Sequence, residues 1–221
     1  IVAIITAILI VYINIKGPKK AAKLQNILTC IIAVVGLVLV AGSAFTGSTD
    51  NISQQLFVGD DAFSIIENVA KVAIMTPFFL FGFDVIPQVT EEINMPLKRL
   101  GLMMIFSIAM AVGFYALVVL AIGYVMNGDE VVASMNGTGL VTADAMAIAF
   151  NSNTMAKVLI LGGLCGIITS WNSFLIGGSR VMFTMAKSRM IPSSFAKLHP
   201  VYKTPIVALL LFGLTSIIAP F

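Results

Sequence analysis

The chain has 221 residues, of which 59% are hydrophobic and 10% charged, with 13 lysines and arginines against 10 acidic residues for a formal net charge of +3. That balance, together with a mean hydropathy of +1.04, excludes a soluble globular domain and predicts an all-α integral membrane protein with several spans. Long continuous apolar runs exclude an outer-membrane barrel, whose strands alternate lipid-facing and lumen-facing residues. The basic residues lie in short loops rather than along one soluble face, so the expected partner is the lipid bilayer and no nucleic acid.

In chain order, the predicted spans are Ile1 to Ile15, Ala21 to Phe45, Phe63 to Glu92, Leu100 to Met126, Met155 to Lys187 and Pro205 to Phe221. The first and last begin and end inside apolar runs. The expectation is therefore a single transmembrane domain over residues 1–221, about six spans long, cut from a longer protein at both ends.

The third span carries the main anomaly. Its second half reads FFLFGFDVIPQVTEEINMP from Phe78 to Pro96, placing glycine, aspartate and two prolines inside an apolar run. Lys71 and Glu91 are about 20 residues apart, enough at about 1.5 Å per residue to cross the roughly 30 Å hydrocarbon core, and Gly82 falls near the middle. A break at that depth needs partners from other helices or a water-filled cavity, the arrangement secondary transporters use for substrate sites. A first half-helix ending near Phe81 offers carbonyls to an ammonium or metal cation. A second half starting after Asp84 offers N–H groups, with Asp84 as its cap and Pro87 in its first turn.

The loops alternate in charge. Lys16, Lys19, Lys20 and Lys23 mark the first, Lys98 and Arg99 the third, and Arg180, Lys187, Arg189, Lys197 and Lys203 the fifth. Asp50, Asp60 and Asp61 mark the second, and Asp129, Glu130 and Asp144 the fourth. The basic side is predicted to be cytoplasmic. Glu67 and Lys71, spaced i,i+4, predict a local helical pair. The long fourth loop contains TADAMAIAF, where Thr142 and Asp144 predict the start of a short amphipathic helix, either a gate or a cap. Gly162 with Gly166, Gly177 with Gly178, and Ala109 with Gly113 are helix-packing signals. Cys30 and Cys165 are expected as small buried side chains.

The run GFDVIPQVTEEINMP resembles the broken sixth helix of the amino acid-polyamine-organocation permeases. KLQNILT (Lys23 to Thr29) resembles the start of their fifth helix, and SRVMFTMA (Ser179 to Ala186) followed by MIPSSFAKLHPVYKTP resembles the end of their eighth and the loop into the ninth. The resemblance implies helices four to nine of a leucine-transporter-type fold, with the first three helices missing and needed to complete the site. It implies a secondary active transporter, not an enzyme, that moves amino acids or related amines by alternating access across the plasma membrane.

On this alignment the resemblance implies that Phe78, Phe79, Phe81, Gly82, Phe83 and Asp84 line the substrate site. Asp84 has two readings, as a structural cap or in a substrate or proton role. Thr169, Ser170, Asn172 and Ser173 are polar in an apolar helix, and Thr169, Ser170 and Asn172 are the candidates for ion coupling, because some sodium-coupled members hold a cation here; the other reading is bonding to the helix backbone or a neighbouring helix. No cofactor is expected beyond a coupling ion, H+ or Na+. Lysine-based proton coupling is disfavoured, because the matching position three after Thr29 is Ile32. Glu91, Glu92 and Arg180 are candidates for an inner gate. His199 is expected as a solvated loop residue, and Trp171 as packing or a cavity wall.

The alternatives are a substrate-sensing membrane receptor on a transporter fold and an ion channel. A channel needs a continuous polar pore, which one broken helix does not supply. An intramembrane enzyme is disfavoured by a sole histidine in a loop, with no HExxH site and no base near either cysteine in sequence.

Overall fold

The structure, a computed structural model, describes residues 2–53, 61–80, 82–88, 90 and 96–218. The described residues form α1 (Val2–Ile15), α2 (Pro18–Thr46), α3 (Thr49–Ser53), α4 (Ala62–Phe79), α5 (Val85–Gln88), α6 (Leu97–Val125), α7 (Gly128–Asn136), α8 (Val141–Phe150), α9 (Asn153–Lys187) and α10 (Ile206–Ile218). No strand occurs among the described residues. Helices Pro18–Thr46, Ala62–Phe79, Lys98–Val125 and Asn153–Lys187 are long and apolar enough to cross a membrane, whereas α1 and α10 are shorter apolar helices. The broken span is α4, a gap and α5.

The chain divides into two compact units. One comprises Ile1–Cys30, Gly82–Met104 and Cys165–Phe221; the other comprises Ile31–Phe81 and Ile105–Leu164. The chain passes between units within α2, α6 and α9, and again at Phe81–Gly82, inside the break.

In the second unit the core gathers Leu39 of α2, Ala121 and Val125 of α6, and Ala145, Met146 and Ala149 of α8. Bare backbone lets these helices approach: a side chain at Gly36 would meet Phe114, and one at Gly162 would meet Val35 at 3.0 Å. The Ala109 and Gly113 pair makes no such contact, because nothing lies within 4 Å of a Cβ built at Gly113. Large apolar side chains such as Val34, Ile105 and Leu161 face outward at 59%, 69% and 61% exposure. In lipid such exposure carries no hydrophobic penalty, so close packing and polar contacts decide the association.

The first unit is pinned by side-chain amides. Asn14 of α1 donates to the Ile10 carbonyl at 2.9 Å and to Asn172 Oδ1 at 2.8 Å. Asn172 Nδ2 donates to Gln25 Oε1 at 2.9 Å and to the Ala21 carbonyl at 3.4 Å, and Gln25 Nε2 donates to Ser173 Oγ at 3.0 Å. Asn172 is fully buried and Asn14 is 4% exposed. Around this chain of amides Ile10, Val11, Leu175 and Leu209 form the apolar core. Thr204 Oγ1 donates to the Ile15 carbonyl at 3.0 Å, fastening the segment before α10 to the end of α1.

Both cysteines are free, Cys30 exposed and Cys165 half-buried. The expected burial fails for Cys30 and holds only in part for Cys165, because a thiol is apolar enough to face lipid. The Glu67–Lys71 pair forms as expected, at 2.7 Å on an exposed face.

Replacing Asn172 with alanine leaves Asn14 and Gln25 without their shared partner, and is expected to cost about 1–3 kcal/mol. A fall in the thermal unfolding midpoint of the detergent-solubilised protein checks this, with Leu175→Met as a volume-conserving control in the same core.

Candidate functional site

The break has a local cause at each edge. Pro77 lies inside α4 and has no N–H, so the Ala73 carbonyl loses its intrahelical donor. The helix then tightens, with the Leu80 N–H donating to the Pro77 carbonyl at 3.1 Å, and ends at Phe79 with Leu80 as its cap. This end falls slightly before Phe81, the expected position; Pro77 is the signal the sequence reading passed over. Phe81 lies outside the described residues.

Gly82 turns the chain with φ of +122°, a conformation L side chains rarely adopt. Asp84 Oδ1 accepts from the Gly82 N–H at 3.0 Å, and Asp84 Oδ2 accepts from Gln88 Nε2 at 3.4 Å. Asp84 therefore stands where a cap was expected, immediately before α5, and its carboxylate turns back to hold the break together. Pro87 lies within the single turn of α5, where a missing N–H costs little.

Phe78 and Phe79 close α4 as an edge-to-face pair with ring centroids 6.0 Å apart, both well exposed. Phe83 is exposed and Asp84 half-buried. Asp84 borders a cavity of about 350 Å³ in the first unit, lined also by Val85, Trp171, Phe174, Phe212 and Ser216. A second cavity of about 680 Å³ in the same unit is lined by Arg180, Lys187 and Lys203 among apolar residues. Gln88 and Val181 border both.

Trp171 is both packing and cavity wall, since its Nε1 donates to Ser216 Oγ of α10 at 3.0 Å. Thr169 is buried and donates to the Gly166 carbonyl of its own helix at 2.7 Å; Ser170 is exposed. Asn172 and Ser173 belong to the amide chain described above. Arg180 is 9% exposed, its Nη1 donating to the Ile176 carbonyl at 2.8 Å. Glu91 and Glu92 lie outside the described residues. His199 lies in a loop, half-buried: its Nδ1 accepts from the Val201 and Tyr202 N–H groups at 3.2 Å, and its ring packs on Tyr202 with centroids 4.8 Å apart.

The loop before α9 holds two helices. α7, missed by the sequence reading, opens on a reciprocal capping box in which Asn127 accepts from the Glu130 N–H and Glu130 accepts from the Asn127 N–H. The N-x-x-E spacing was its signal. α8 starts at Val141, so Thr142 and Asp144 lie in its first turn, as expected of a helix start, and Leu140 stands at the cap position without a side-chain bond. Asp144 accepts hydrogen bonds from Ser134 and Thr138, joining α7 to α8. Those two hydroxyls hold its carboxyl below the usual carboxylate range, against a smaller opposing effect of burial. Asn14, Gln25 and Thr204 were also passed over, although amides inside apolar runs are visible in sequence.

Long apolar helices, one of them followed by a glycine turn locked to an aspartate, define a multi-pass helical membrane protein. The amino acid permease family profile matches residues 1–221, and the chain belongs to that family. Among curated relatives, the branched-chain amino acid permease BcaP of Bacillus subtilis is 27% identical over 214 residues, covering 97% of this chain and 44% of the relative. The methylthioribose transporter of the same organism is 26% identical over 207 residues, covering 92% and 41%. Cationic amino acid transporter 7, chloroplastic, of Arabidopsis thaliana is 25% identical over 231 residues, covering 100% and 38%. The chain thus spans less than half the length of these relatives.

Two outcomes follow from the geometry. Space is open around Gly82, so Gly82→Ala is penalised by backbone strain alone, about 1–3 kcal/mol, measurable as a lowered unfolding midpoint. The depressed Asp144 carboxyl contributes stability above the unfolded carboxylate range, and that stability is lost as pH falls through its folded value. Thermal scans across the acid range should show a flatter decline for Asp144→Asn than for the parent.

Proposed function

We propose that the protein is a secondary active transporter that moves amino acids or related amines across the plasma membrane by alternating access. The observation that carries this reading is the Gly82 break. It interrupts the chain just after α4, where backbone carbonyls of a half-helix can meet an ammonium group. Membership of the permease family and the transporter names of its relatives support the same reading.

Substrate binds at Phe78, Phe79, Phe81, Gly82, Phe83 and Asp84, and helices outside this chain complete the site. The Lys/Arg-rich loops face the cytoplasm, and Glu91 and Glu92 work with Arg180 as an inner gate. For a coupling cation, Thr169 and Ser170 are favoured over Asn172, whose Oδ1 already accepts from Asn14. A sodium ion there would be held by hydroxyl and carbonyl oxygens; a proton would instead use Asp84.

The test is radiolabelled amino acid uptake into proteoliposomes by the full-length parent under a sodium gradient, a proton gradient or neither. Uptake is expected, with Asp84→Ala lowering it by about tenfold or more, because the Gly82 N–H loses its acceptor. Verified, inserted protein that carries none of the twenty amino acids nor common polyamines would overturn the reading. Binding without flux would mark a receptor instead.

A further inference from the structure

Gly177 and Gly178 adjoin on α9 but serve different neighbours. A side chain at Gly178 would meet the Phe212 ring of α10, at 3.1 Å from Cε2. One at Gly177 would run into Gln88 Oε1 of α5 and stand 3.2 Å from Val85 Cγ2. The bare backbone of Gly177 is therefore a notch filled by the Gln88 carboxamide. The other end of that carboxamide, Nε2, donates to Asp84 Oδ2, and Asp84 Oδ1 accepts from the Gly82 N–H. An unbroken path runs from the backbone of α9 through one amide and one carboxylate to the glycine that turns the chain.

We propose that Gln88 is the positioning residue of the break. Seated against Gly177, it orients Asp84 so that the carboxylate holds the Gly82 N–H and fixes the direction of the neighbouring backbone groups. The inference rests on the reading of the break as the substrate site. An amide suits the place because its oxygen lies flush against the glycine while its N–H₂ faces the carboxylate. A glutamate of the same size has no donor for Asp84 and sets two carboxylates at i,i+4, which repel.

The glycine gives a handle that separates positioning from packing. The atom that Gly177→Ala displaces is the far end of a flexible side chain, and Val85 must give only by a few tenths of an ångström. Stability should change little while Gln88 is pushed off Asp84. A notch that served packing alone would give the opposite pattern, with stability lost and substrate affinity unmoved.

The experiment uses the full-length parent in proteoliposomes, with concentration series of radiolabelled leucine, methionine and arginine, and hydrogen–deuterium exchange of peptides covering residues 80–88. Gln88→Ala, Gln88→Glu and Gly177→Ala are each expected to raise KM about tenfold, with maximal rate within about twofold of the parent. All three should speed amide exchange around Gly82. The double variant Gly177→Ala/Gln88→Ala should be no worse than Gln88→Ala alone, because both act through one contact. Parental KM and exchange in Gln88→Ala, or additive effects in the double variant, would overturn the proposal. If the parent carries none of the three amino acids, the positioning role is read from exchange alone, and unchanged exchange around Gly82 in Gln88→Ala still overturns it.

Discussion

Inside a bilayer no water is available to satisfy backbone amides and carbonyls, so every departure from helix must find its partners within the protein. The region from Pro77 to Gln88 is organised by that constraint. Proline removes one donor, the helix tightens and ends, Gly82 adopts a positive φ, and the Asp84 carboxylate takes up the amide that the turn exposes. Gln88 completes the arrangement from the following turn.

The same constraint explains why the first unit is held by amides rather than by apolar burial alone. Lipid tails compete with leucine as neighbours, so apolar side chains do not by themselves select a partner helix. Asn14, Asn172, Gln25 and Ser173 do select, since each donor and acceptor has a geometry that one register satisfies. The second unit solves the problem differently, with glycines on α2 and α9 that admit Phe114 and Val35 at close range. α9 serves several neighbours of the first unit at once: it carries Asn172 of the amide chain, the Trp171 wall and the bare face of Gly177.

Much of this was legible along the chain. Apolar run length placed most helix ends among the described residues to within a few residues, and GFD inside an apolar run announced a break, because each depends only on composition and spacing. The capping box of α7 was equally legible in Asn127 and Glu130 and was overlooked. What was not legible depends on which residues meet across sequence distance. Asp84 looked like a helix cap and instead holds the amide behind it. Thr142 and Asp144 marked a helix start, which α8 bears out, but nothing along the chain showed that Asp144 reaches back to Ser134 and Thr138. Asn172 was grouped by sequence with its helical neighbours, but its partners come from α1 and α2.

The sequence by itself determined that this is a helical membrane protein of the permease type, where its helices run and where one of them breaks. Those properties follow from transfer of side chains into hydrocarbon and from the local limits of proline and glycine, which act residue by residue. The tertiary structure alone decided which polar groups answer each other: Asn14 with Asn172, Gln88 with both Asp84 and the bare face of Gly177, Trp171 with Ser216. A hydrogen bond needs two groups within about 3 Å, and proximity between residues far apart in sequence exists only once the helices are packed.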